Sequence, residues 1–139
     1  SRHAMEANLD AAVAELTGDR QLINNQFGLA PVTGAGWAQL GMNVLKSGRT
    51  TRVTRGRVTG IEGTSRNYYN GVYRLIRNVM KIEPRIDTDV SAAGDSGSFW
   101  LDEATKNAVG LHFASGIHQQ NGLAIDMPPI LEALKVGMA

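Results

Sequence analysis

Ser96 lies in Gly94-Asp95-Ser96-Gly97, a hydroxyl held among glycines with an acid beside it. A serine hydroxyl is a weak nucleophile unless a base takes its proton and donors hold the oxyanion that develops. The glycines permit a sharp turn, and such a turn can aim the backbone N–H groups of Gly94 and Ser96 at one point. That pair is the candidate oxyanion hole. On its own the tetrapeptide reads equally well as a polar hairpin turn. The bases on offer are His3, His112 and His118. Their spacing matches no zinc site, and the chain has no cysteine, so neither a metal nor a cofactor is expected. The order Ser96, Asp102, His118 would imitate an α/β-hydrolase. That fold needs Gly-x-Ser-x-Gly on a strand-to-helix elbow. Here Ser98 follows Gly97 and strands surround the motif, which excludes that reading.

The elements that must position Ser96 are short and β-rich. "GMNVLKSG", "RGRVTGIEG", "YRLIRNVMKI", "GSFWLDE", "NAVGLHFAS" and "GLAIDMP" carry β-branched or aromatic residues and are punctuated by Gly, Asn or Asp. Six such runs predict an all-β fold, a six-stranded antiparallel barrel from about Gly41 to Met127. Pro128 and Pro129 then suit a helix start, and Ile130, Leu131 and Leu134 form its apolar stripe. Upstream, "ANLDAAVAEL" reads as a helix by its alanines or as a short buried strand entered from a turn at Asn8. "TGDRQLINNQFGLAPVTGAG" is a long connection. The chain of 139 residues can bury one core. A net charge of +1 with scattered basic residues gives no nucleic-acid footprint, and no apolar run reaches membrane-helix length. The compartment is left open; the lack of cysteine is compatible with the cytosol.

Several stretches in register resemble the trypsin/chymotrypsin-like serine peptidases, in their bacterial streptogrisin and glutamyl-endopeptidase branch. They are "GDSG", "VLKSGRTT" at residues 44–51, "YRLIRNVMKIEP", "AVGLHFASG" at 108–116 and "LAIDMPPILEAL". The resemblance covers residues 8–136. It departs from the family at Ser98 and Phe99, where Gly-Pro is usual, and at Arg52, where streptogrisins have glycine.

The resemblance implies the second barrel of a chymotrypsin-like double barrel with a C-terminal helix. Residues 1–16 would then be a remnant of the first barrel bearing the Asp strand, 17–40 the interbarrel linker and 41–139 the C-terminal barrel and helix. It implies Ser96 as nucleophile, Gly94 and Ser96 as oxyanion hole, and Asp10, in "NLDAAV", as the triad acid. The triad histidine belongs tens of residues before the acid, and His3 stands only seven residues before Asp10. The expectation is therefore a C-terminal part whose histidine comes from a first barrel of the same protein. Lys46, with Arg49 nearby, matches the family's cation for Asp95. His112 and Ser115 match the pocket residues of glutamate-specific members, where imidazole bonds a Glu or Gln side chain before the scissile bond. His118 reads as a solvated loop residue. The implied activity is serine endopeptidase, acting on peptide or protein through an acyl-enzyme. The alternative is a catalytically inactive, peptidase-like binding or regulatory module.

Overall fold

The computed structural model describes residues 8–86, 88–116 and 120–138, so His3 and His118 lie outside the described residues. Six strands follow in chain order: β1 (Asn43–Gly48), β2 (Arg52–Tyr69), β3 (Val72–Pro84), β4 (Phe99–Asp102), β5 (Ala108–Ser115) and β6 (Gly122–Asp126). They close into an antiparallel barrel in the order β1-β2-β3-β6-β5-β4. One helix, α1 (Met127–Leu134), follows β6 directly. The expected barrel and terminal helix are thus present.

Period-two alternation explains how strands this short are buried. Val44, Val58, Met80, Ile82, Trp100 and Val109 point inward and form the barrel interior. Their neighbours Leu45 and Leu101 point outward and are covered by Val32 and by Met127 of α1. A third cluster joins Leu9, Ile76, Val79, Ile125 and Ile130. The segment before β1 therefore serves as a cover for the barrel wall. Ala108 exchanges backbone bonds with Gly34 and Gly36, and the Gln26 carboxamide bonds both the N–H and the C=O of Phe99.

Residues 8–16 form neither the helix nor the strand that their sequence suggested. A strand needs a ladder, and here the contact is a single backbone bond from the Arg77 N–H to the Asn8 C=O. Leu9 alone of this stretch is buried.

The β2–β3 hairpin is longer than its sequence suggested. β3 meets β6 only over Val79–Ile82, so the two arms beyond pair only with each other. An Asn70-Gly71 turn, both residues with positive φ, closes the hairpin between Tyr69 and Val72. Irregular register around Gly60 and Gly63 bends it. A Cβ at Gly63 would sit 2.9 Å from the Val79 carbonyl oxygen, so the close strand approach there requires glycine.

The loop between β3 and β4 carries the Ser96 motif, and a buried ion pair holds it. Asp95 and Lys46 are fully buried, 3.3 Å apart. The Asp95 carboxylate also accepts from the Thr50, Thr51 and Ala92 N–H groups and from the Thr51 hydroxyl. Lys46 donates further to the Thr51 and Thr54 hydroxyls. Burial alone would raise the Asp95 carboxyl, but these hydrogen bonds outweigh it and hold it well below the usual carboxylate range. Burial pulls Lys46 below the ordinary lysine range, and Asp95 opposes that pull.

Asp126 shows the opposite behaviour. It sits at the start of α1 without capping it by a side-chain bond. Its carboxyl is buried, accepts from the Ala38 N–H, and leaves Oδ1 without a partner. Burial pushes it up to about 6, the Ala38 bond opposes this, and the Glu62 charge adds to it.

Two stability measurements follow. Asp95→Asn strands the Lys46 charge in the barrel and should cost about 3 kcal/mol or more in urea unfolding. A loss below about 1 kcal/mol would show that the pair is not what holds the loop. For Asp126, the unfolded carboxyl ionises near pH 4 and the folded one near 6. Stability is therefore lost as pH rises from about 4 to 6. Asp126→Asn should be near neutral at pH 4 and stabilise by about 3 kcal/mol at pH 8. An equal effect at both pH values would contradict the buried, proton-holding carboxyl.

Candidate active site

Ser96 is exposed on the loop that Asp95 anchors. Gly94 has φ of 102°, and a Cβ there would meet the Thr50 hydroxyl at 2.5 Å. Gly97 has φ of 91°. These two left-handed residues make the bend on either side of the serine. The loop is fixed further by the Gly97 N–H to the His112 C=O and the His112 N–H to the Ser98 C=O. The Asp95 and Ser98 N–H groups bond back within the loop, to Ala92 and Asp95. The N–H groups of Gly94 and Ser96 donate to no partner among the described residues. This leaves the two expected oxyanion donors free. The Ser96 hydroxyl makes a long 3.4 Å bond to the Phe113 carbonyl on β5.

Asp10 and Ser96, 86 positions apart in sequence, line the same cleft. Its walls are the β2 residues Ser65–Tyr69 on one side and, on the other, Phe113–Ser115 of β5 with Gly116 after them. Asp10 is exposed and accepts a 2.8 Å hydrogen bond from the Tyr69 hydroxyl. Tyr69 was not singled out in the sequence. Its only sequence signal was period-two spacing from Ser65 and Asn67 in an arm too polar to read as a strand.

His112 is placed differently. Its imidazole lies inside the barrel wall, 2% exposed, edge-on to Trp100. The Trp100 indole N–H donates to Nδ1 over 3.3 Å, which puts the imidazole proton on Nε2. Nε2 has no hydrogen-bond partner among the described residues. Burial pulls His112 down to about 4, the Lys46 charge adds to this, and Asp95 opposes it. The ring is therefore neutral at pH 7. Ser115 is exposed on the cleft and shares a 3.0 Å hydroxyl bond with Ser91. An irregularity between His112 and Ala114 offsets the strand alternation, as convergence of the two side chains would require, but no bond joins them. Lys46, and not Arg49, pairs with Asp95. Trp100 is the second residue missed by sequence reasoning, since a buried core aromatic gives no sign that its N–H orients a histidine.

Among the described residues no group of three or more His, Asp or Glu could hold a metal ion. Nor is any helix among the described residues long and apolar enough to cross a membrane.

No family model matches the chain. Serine protease 1 of Streptomyces fradiae is 38% identical over 109 residues, which are 77% of this chain and 27% of that protein. Among solved structures, a glutamic-acid-specific serine protease, described as using a histidine triad in substrate binding, superposes with a TM-score of 0.69. It is 25% identical, over 89% of this chain and 64% of that one. Cellulomonas bogoriensis chymotrypsin gives a TM-score of 0.62 at 25% identity, over 86% and 61%. The chain thus spans about a quarter of the length of the curated relative and less than two thirds of these solved structures. In sequence and in fold the chain is thus similar to bacterial chymotrypsin-like serine proteases.

Proposed function

We propose that this chain is the nucleophile-bearing part of a serine endopeptidase. The observation that carries this reading is the cleft itself. An exposed Ser96 hydroxyl and the Asp10 carboxylate line it together, and the Gly94 and Ser96 N–H groups of the serine loop donate to no partner among the described residues. Ser96 attacks the peptide carbonyl, and those two N–H groups hold the oxyanion. Asp10 orients a histidine that takes the Ser96 proton and returns it to the leaving amine. His112, the one histidine among the described residues, does not fill that role. It is buried, its Nδ1 is occupied by Trp100, and it stays neutral. The base in this reading comes from a first barrel of the same protein. Such a barrel would cover the apolar groove lined by Val13, Leu22, Ile23, Ile130 and Leu134.

His112 and Ser115 set a preference for Glu or Gln before the scissile bond. Two observations support this: a neutral Nε2–H without a partner, and likeness to a protease described as glutamic-acid-specific. A neutral imidazole donor suits a carboxylate or an amide oxygen. The competing reading is an inactive peptidase-like module, which the lack of a usable histidine among the described residues favours.

A fluorophosphonate probe separates the two readings. Full-length protein should label, and Ser96→Ala should abolish both labelling and turnover. The 139-residue chain alone should label weakly or not at all. Unlabelled full-length protein would support the inactive module, and robust turnover by the chain alone would overturn the upstream base. Specificity is read with a peptide library varied at the residue before the scissile bond. His112→Ala should lower kcat/KM for Glu and Gln substrates about tenfold to a hundredfold, the loss of a hydrogen bond to a charged or polar group. An unchanged Glu and Gln preference would make His112 a packing residue.

A further inference from the structure

The β2 arm carries a directed chain of hydrogen bonds that ends on Asp10. Ser65, Asn67 and Tyr69 alternate along β2 and so share one face of the hairpin. The Ser65 hydroxyl donates to the Asn67 carboxamide oxygen at 2.5 Å. The Asn67 amide donates to the Tyr69 phenol oxygen at 3.3 Å. The phenol has a single proton, and with its oxygen accepting from Asn67 that proton goes to Asp10 Oδ2, 2.8 Å away. We propose that Tyr69 is a positioning residue for the reaction, fixing the Asp10 carboxylate through this bond; the inference rests on the triad role proposed for Asp10.

The need for such a residue comes from the segment that carries Asp10. Residues 8–16 have no strand ladder, and the Asn8 bond to Arg77 ties their backbone to the same hairpin. No other hydrogen bond to the Asp10 carboxylate comes from the described residues. Of the β5 residues lining the cleft, Phe113 has a side chain without a donor, and the Ser115 hydroxyl is engaged with Ser91. Tyr69 takes Oδ2 and leaves Oδ1 for an imidazole N–H. The hairpin is braced on its other face, where Tyr68 and Tyr73 meet edge-on at 5.0 Å and the Arg66 guanidinium lies 4.3 Å from the Tyr73 ring. Burial, and the bond to Asp10 next, raise the Tyr69 phenol above its ordinary range, so it keeps its proton as a donor at neutral pH.

The test is steady-state kinetics of the full-length protein on a peptide substrate. Tyr69→Phe keeps the ring and removes the hydroxyl. It should lower kcat about tenfold with KM nearly unchanged, the size expected for one hydrogen bond to a charged group. The acid limb of the kcat/KM profile should move to higher pH, because a carboxylate relieved of one donor binds imidazolium more strongly. In an Asp10→Asn background the same change should cost almost nothing more, because the two residues act as one unit. A loss confined to KM, or an undiminished loss in the Asp10→Asn background, would overturn the proposal and make Tyr69 a substrate contact. A silent Tyr69→Phe beside a damaging Asp10→Asn would overturn it while leaving the triad reading intact. A harmless Asp10→Asn would overturn both.

Discussion

The Lys46–Asp95 pair is the constraint on which the site depends. Two charges with no exposure are costly to desolvate, and their attraction offsets the cost only when the remaining donors are satisfied. Here one carboxylate gathers the Lys46 ammonium, three backbone N–H groups and a threonine hydroxyl. These donors come from β1, from the turn after it, and from the serine loop itself. The loop can therefore occupy one position without breaking contacts on all three. Glycines follow from the same constraint. A Cβ at Gly48 would overlap the Asp95 carboxylate, so no larger residue fits the end of β1 while the pair is formed.

The pair reaches further than the loop. Lys46 lies 5.3 Å from the centre of the Trp100 ring, and Trp100 in turn fixes the tautomer of His112. The Lys46 charge also helps keep His112 neutral. The residue that locks the proposed nucleophile loop thus tunes the proposed specificity histidine from inside the barrel. Changes at Lys46 would act on both properties together.

The parts legible in the sequence were those set by local pattern. Short β-branched runs between turn residues marked all six strands, and Pro128-Pro129 marked the helix, which starts at Met127, two residues before the expected Pro129. The glycine spacing around Ser96 showed the loop, and "VLKSGRTT" gave the cation for Asp95. Residues 8–16 were misread because alanine propensity and apolar content say nothing about whether a ladder partner exists. The outer half of the β2–β3 hairpin was under-read because Gly60, Gly63 and the polar Ser65-Arg66-Asn67 interrupt the hydrophobic alternation. Tyr69 and Trp100 were missed for a different reason. Their roles lie in a single proton aimed at a residue 59 positions away in one case and 12 in the other, and no periodicity encodes that aim.

The two halves of the proposed site differ in how they are held. Ser96 sits on a loop fixed by a buried, fully bonded carboxylate, and its oxyanion donors are set by backbone geometry alone. Asp10 sits on an exposed segment without a ladder, held by one backbone bond and one phenol. The first half is built to be complete before any partner arrives. The second gains order only from what packs against it, and the hairpin supplies the part of that order visible here. A groove lined by Val13, Leu22, Ile23, Ile130 and Leu134 beside the same segment is apolar surface that burial would stabilise. Covering it would exclude water from the surroundings of the Asp10 carboxylate, which lines the same groove. That would strengthen its hold on an imidazole at the moment the base is supplied. In the proposed enzyme, the serine loop would then be set by contacts within the barrel, while the placing of the acid would depend on what packs against residues 8–16.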